Sequence, residues 1–164
     1  MLWHITEYLN GVPIPLDDTA GFCQLLAYID RALADGGSGE STGLLVAASP
    51  LGIHGAGVGD CIAWLIDERG CRELTAEVPR KPLLGSGRAC PVSFSLPPTA
   101  GTLLLATDGL WKYAAADVIC EVVRKLPIEA AAAELLTLPR LASGAVPDDI
   151  GIILVRPRRA PETH

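Results

Sequence analysis

Several things are scarce in this chain. Phe, Trp and Tyr make up only 5% of its 164 residues, so a core must come from aliphatic side chains. Basic charge is in deficit: Lys and Arg number 13 against 19 Asp and Glu, a formal net charge of -6. General nucleic-acid binders carry a basic surface, so that class is disfavoured. The basic cluster Arg156-Pro-Arg158-Arg159 sits on the tail and reads as a solvated end. The five cysteines, Cys23, Cys61, Cys71, Cys90 and Cys120, are odd in number and contain no CxxC pair. This disfavours a disulfide framework or zinc site and fits a reducing cytoplasm. His4, His54 and His164 are scattered, without an HExxH pair. There is no GxSxG elbow. Gly55-Ala-Gly57-Val-Gly59 is one residue short of a dinucleotide turn and precedes a strand. Gly36-Gly-Ser-Gly-Glu-Ser41-Thr42 lacks the P-loop lysine. No apolar run reaches membrane-span length, and Met1-Leu-Trp-His-Ile-Thr-Glu7 lacks the basic start of a signal peptide. The expectation is a soluble cytoplasmic protein that binds neither membrane nor nucleic acid.

Against these absences, hydrophobic content is 49%, enough for one domain with a sizeable core. Residues 1–19, with Pro13 and Pro15, read as an irregular lead-in with at most one short strand. Phe22, Leu25, Leu26, Ile29 and Leu33 recur at helical spacing, which predicts an amphipathic helix over 20–34. Gly43–Ser49 reads as a buried strand, Leu51–Gly59 as a glycine-rich turn, and Cys61–Ile66 with Cys71–Thr75 as a hairpin closed by Asp67-Glu-Arg-Gly70. Residues 77–101 read as a long surface excursion with a strand near Val92–Leu96. A strand over Leu103–Ala106, helices over Ala115–Lys125 and Ile128–Leu138, and a last strand over Ile150–Val155 complete the chain. Strands, then helices, then a strand predict an α+β layered sandwich of largely antiparallel sheets flanked by helices.

Two apolar runs carry acids at one end. In Thr102-Leu-Leu-Leu-Ala-Thr-Asp108-Gly109-Leu110-Trp111, Asp108 leaves a strand. In Pro147-Asp148-Asp149-Ile150-Gly151-Ile-Ile-Leu-Val155, Asp148 and Asp149 enter one. Carboxylates at the mouth of a buried sheet are costly unless paired, solvated or bound to a cation. A hard divalent metal with oxygen ligands is the functional explanation. The bland explanations are an Asx turn before Gly109 and a polar loop end at Asp148.

These segments carry a family resemblance. Val58-Gly59-Asp60-Cys61-Ile62-Ala63-Trp64-Leu65-Ile66 is similar to the V-G-D-S-R-A-Y-L strand of the PP2C (PPM) metal-dependent protein phosphatases. Leu103–Trp111 is similar to their L-L-L-C-S-D-G-L-W segment, and Pro147–Val155 to their D-N-I-T-V-V-V-V strand. Gly39-Glu-Ser-Thr42-Gly-Leu-Leu-Val46 matches the small-residue entry to a central strand. The resemblance covers roughly residues 37–156 and implies a two-sheet sandwich holding two Mn²⁺ or Mg²⁺ ions, acting on phosphoserine or phosphothreonine. It assigns Asp108 and Asp148 as metal ligands. Asp149 replaces the family Asn as extra charge or an alternative ligand, and Asp60 matches a weaker third metal site. Gly109, where the chain turns from the metal edge, is grouped with them, whereas Trp111 reads as a core anchor.

The sequence departs from the family at its beginning. The early E-D strand, the D-G-H-G-G segment and the phosphate-gripping Arg are not found. Asp17-Asp18-Thr-Ala-Gly21 is a candidate relic of the second, with Asp18 a candidate bridging acid, although a cap for the following helix is the simpler role. Asp35-Gly36-Gly37 is a weaker candidate. The expected organisation is one PP2C-like domain, shortened at its N-terminal side. It spans residues 1–156, with an atypical lead-in and helix over 1–36, a family-like core over 37–156 and a basic tail over 157–164. The function implied is a Mn²⁺- or Mg²⁺-dependent serine/threonine phosphatase. The alternative is a catalytically silent binding or regulatory module. A phosphoprotein or regulatory protein is the implied partner, and open sheet edges suggest a partner chain or a homodimer.

Overall fold

The computed structural model describes residues 15–37, 39–141 and 143–157. Most of the lead-in and of the basic tail therefore lies outside the described residues. Four helices and seven strands are described. They fall into two compact units. The first comprises Met1–Cys61 with Leu74–Thr99, and the second Ile62–Glu73 with Ala100–His164.

In the first unit the predicted helix forms as α1, Thr19–Gly36. Asp18 starts it, its carboxylate accepting the Gly21 N–H at 2.9 Å. Gly37 ends it at φ 60°, a left-handed cap that suits glycine. Phe22, Leu25, Leu26, Ile29 and Leu33 form a buried stripe that packs on Ala56, Val58 and Leu84. Each fully buried Leu or Ile contributes about 1.5–3 kcal/mol. The unit's sheet runs β1 (Gly43–Ser49), β2 (Gly52–Val58), β5 (Val92–Leu96), all antiparallel.

Two expectations are corrected here. Leu51–Gly59 is no turn: it supplies β2, the middle strand of this sheet. Its glycines make room rather than bends. A Cβ on Gly55 would sit 2.4 Å from Phe94 Cζ and 2.6 Å from the Leu45 carbonyl oxygen. The excursion over 77–101 is also partly docked: Leu84 is buried and exchanges two 2.9 Å backbone bonds with Ser41. The buried Asp30 of α1 holds the next stretch, accepting the N–H groups of Gly85 at 2.8 Å, Gly87 at 3.0 Å and Ala89 at 3.0 Å.

In the second unit the strand order is β4 (Gly70–Glu73), β3 (Ile62–Asp67), β6 (Thr102–Ala106), β7 (Ile152–Val155), again antiparallel throughout. The predicted β3–β4 hairpin forms, and Asp67 closes it by accepting the N–H groups of Arg69 at 2.7 Å and Gly70 at 3.1 Å. Alternate residues Ile62, Trp64, Ile66, Leu104 and Ala106, with Ile152 and Leu154, face one core. A four-residue helix, α2 (Asp108–Trp111), follows β6. Ile119, Cys120 and Val123 of α3 (Ala116–Lys125) and Leu135 of α4 (Ile128–Leu135) complete that core. Arg156 ties the end of β7 to the last turn of α3. It donates to Thr102 Oγ1 at 2.8 Å and to the carbonyls of Val123 at 2.7 Å and Leu126 at 3.2 Å. A cation there also complements the helix C-terminus.

Candidate functional site

The two acid-bearing segments meet at one end of the second sheet. β6 delivers Thr107, which caps α2 with extended backbone and puts Asp108 in that helix's first turn. The Thr107 N–H donates to the Gly151 carbonyl at 3.0 Å, and the Thr107 hydroxyl donates to the Asp149 carbonyl at 3.1 Å. The same hydroxyl accepts the Gly151 N–H at 2.9 Å. These bonds bind residues 149–151 to Thr107, so the last strand begins at Ile152 rather than at the expected Ile150. Gly109 presses on the same segment: a Cβ there would lie 2.2 Å from the Asp149 carbonyl oxygen. The backbones bearing Asp108, Asp148 and Asp149 are thus held side by side.

Two of these carboxylates have partners of their own. Asp108 pairs with Lys112 Nζ at 2.6 Å, one helical turn on. That ammonium also stands 5.7 Å from the Trp111 ring centroid. Trp111 packs against the core of the unit, as an anchor should. Asp148 Oδ1 accepts the next N–H, that of Asp149, at 2.8 Å. Beside the acids lies an open groove of about 550 Å³ lined by Leu136, Val146, Pro147, Asp148, Asp149 and Ile150.

Asp18 and Asp60 belong to the first unit. Asp18 serves as the α1 cap. Asp60 follows Gly59, whose φ of +87° makes the turn out of β2. The next residue, Cys61, lies 2.9 Å from the Thr42 hydroxyl through its sulfur.

Carboxylate oxygens are the right kind of donor for a hard divalent cation. They fall short in number. Among the described residues no group of three or more His, Cys, Asp or Glu is placed to hold a metal ion.

One pair of thiols in this unit bears on reactivity. Cys71 of β4 is exposed at the surface while Cys120 of α3 is buried; partial burial of the Cys71 thiol, its hydrogen bond with Cys120 and the nearby Glu73 carboxylate push it up to about 12, with Arg124 opposing. A raised thiol favours the folded state below its ordinary value of 9.0 and loses that advantage as pH rises toward about 12. Alkylation of Cys71 by iodoacetamide at mildly alkaline pH is expected to run on the order of 100-fold slower in the native protein than in urea, because the thiolate is the nucleophile. Peptide mass mapping of timed quenches checks this.

No family model matches the chain, and no curated protein matches it in sequence. Solved structures do match. A bacterial serine phosphatase variant superposes with a TM-score of 0.75 at 20% identity, over 85% of this chain and 66% of its own. The serine/threonine phosphatase Stp1 from Staphylococcus aureus gives 0.75 at 18%, over 91% and 71%. The catalytic domain of the serine/threonine phosphatase PstP, solved in complex with 2 manganese ions, gives 0.74 at 16%, over 93% and 76%. The chain thus spans just under two thirds of the first of these structures. The architecture is a PP2C-like α+β fold of antiparallel sheets and helices, that of bacterial serine/threonine phosphatases. Among the described residues no helix is long and apolar enough to cross a membrane.

Proposed function

We propose that this chain serves in metal-dependent hydrolysis of phosphoserine or phosphothreonine esters on a protein partner, with Mn²⁺ or Mg²⁺ as the metal. The observation that carries this is the Thr107 lacing, which holds the Asp108 and Asp148–Asp149 segments together beside an open groove. Asp108 and Asp148 would hold a cation, with Asp149 and the turn at Gly109 in support. A bound divalent cation would neutralise phosphate charge and acidify a bound water. The chain's own part is positional. Thr107 keeps the two acid-bearing backbones in register, and the groove leaves room for an ester beside Asp148. Lys112 has to leave Asp108 first. The pair is partly exposed, at 37% and 27%, so opening it costs only about 0.5 kcal/mol.

A second reading is a PP2C-like module that binds phosphoproteins or regulators without turnover, with which the Asp108–Lys112 pair is compatible. Hydrolysis of p-nitrophenyl phosphate separates the two. Turnover is expected with Mn²⁺, to vanish with chelator and to fall at least ~100-fold in Asp108→Asn. No turnover, together with no Mn²⁺ heat in calorimetry, leaves the binding module.

A further inference from the structure

Two cysteines of the second unit meet between its sheet and its helices. Strand register brings them there. Cys71 of β4 lies directly opposite Ile66 of β3. Residues so paired put their side chains on one face of the sheet. Ile66 is 2% exposed and belongs to the core that α3 covers, and Cys120 of α3 belongs to the same core. Cys71 is therefore on the face that carries α3, and its thiol is hydrogen-bonded to that of Cys120. The charged neighbours of the pair are Glu73, on the same face opposite Trp64, and Arg124, whose Nε donates to the Cys120 carbonyl at 3.2 Å.

The two sulfurs differ in access. Cys71 is exposed and Cys120 is buried, so a reagent in solution reaches the first and finds the second behind it. The other three cysteines have oxygen partners: Cys61 the Thr42 hydroxyl, Cys23 the Pro91 carbonyl and Cys90 the Arg88 carbonyl. The strand that bears Cys71 is also lightly held. β4 is four residues long and, among the described residues, pairs with β3 alone. Short elements with few partners open locally at low cost. A covalent bond from Cys71 to α3 would fasten β4 on its second side.

We propose that Cys71 and Cys120 are a reversible redox clamp, which a small disulfide such as glutathione disulfide closes into an intramolecular disulfide between β4 and α3. The Cys71 thiolate attacks one sulfur of glutathione disulfide, and one glutathione leaves as its thiolate. Cys120, after losing its proton, attacks Cys71 Sγ, and the second glutathione leaves. Two protein thiols are oxidised, one glutathione disulfide is reduced to two thiols, and the two protein protons end on these. The first step is slow, because a thiol pushed up to about 12 holds little thiolate. The second is intramolecular between groups already in contact. The clamp thus answers to sustained oxidation rather than to a brief pulse, and excess reduced glutathione reopens it. It does not depend on whether the acid edge hydrolyses anything.

The full chain, reduced and held without oxygen, tests this by equilibration at about pH 8 with ~1 mM reduced glutathione and graded glutathione disulfide. Acid quenching and peptide mass mapping count the products. The Cys71–Cys120 link should be half formed at a glutathione disulfide concentration at least ~10-fold lower than half-modifies the exposed Cys90. In urea that preference should fall at least ~10-fold, since the fold supplies the proximity. By the same linkage the oxidised chain should melt about 3 °C or more above the reduced one. Cys71→Ser and Cys120→Ala should each abolish that shift, and their melting temperatures in reductant separate any folding cost from the loss of the clamp. Glutathione on Cys71 without a link to Cys120, a link no more favoured in the native chain than in urea, or a melting temperature indifferent to oxidation would overturn the proposal.

Discussion

Replacing Asp30 by alanine is expected to destabilise the protein by roughly 3 kcal/mol, the largest single effect of any acid described. Asp30 is 3% exposed and accepts three backbone N–H groups from residues 85–89. Truncation strands those donors beside the apolar stripe of α1, where Leu33 and Leu84 leave few replacement acceptors. Asp30→Asn tests the cause more sharply. One carboxylate oxygen serves Gly85 and Gly87 and the other serves Ala89. An amide has only one acceptor oxygen, so its NH₂ must confront at least one N–H. The amide variant should still lose about 2 kcal/mol. Urea unfolding gives the loss, and hydrogen exchange localises it: amide protection at Gly85, Gly87 and Ala89 should drop before that of α1. Equal protection in the parent and both variants would show that the segment is held by something other than this carboxylate.

Gly109→Ala is expected to disrupt the acid edge and cost about 2–3 kcal/mol. The added methyl would lie 2.2 Å from the oxygen and 2.9 Å from the carbon of the Asp149 carbonyl, and Ile150 Cγ1 stands at 3.4 Å. The two nearest of these are backbone atoms, which cannot swing aside as a side-chain tip does. Relief must come from parting α2 from residues 149–151, and the Thr107 hydroxyl bonds to Asp149 and Gly151 break with it. If the chain binds Mn²⁺ as proposed, its affinity measured by calorimetry should fall more than ~10-fold while Asp108 and Asp148 remain in the chain. Chemical denaturation checks the stability, and an unchanged midpoint would mean that the edge is softer than its packing indicates.

Local pattern carried much of the architecture. The stripe Phe22, Leu25, Leu26, Ile29 and Leu33 announced α1, because helical spacing of apolar residues leaves one face to bury. The apolar runs ending at Ala106 and Val155 announced two strands, which the structure pairs in one sheet, and the acids at their ends marked a candidate site. Glycine misled: in β2 it answers to a neighbour, Phe94, that lies far away in sequence, so the run resembled a turn. Asp30 gave no signal, since an acid beside an arginine in an amphipathic helix looks solvated and its three donors lie more than fifty residues on.

The acid edge divides the same way. Residue types at short range were enough to name Asp108, Asp148 and Asp149 and to single out Gly109, because chemistry and turn propensity reside in the residues themselves. Long-range contact alone shows that Thr107 joins the two segments through one hydroxyl and that Gly109 has no room for a methyl. The Asp108 partner is different again: Lys112 is only four residues away, yet whether the acid meets that ammonium depends on a single turn of helix forming after β6. Periodicity and composition are properties of neighbours along the chain, whereas close approach and the direction of a carboxylate depend on which distant backbones fold against each other.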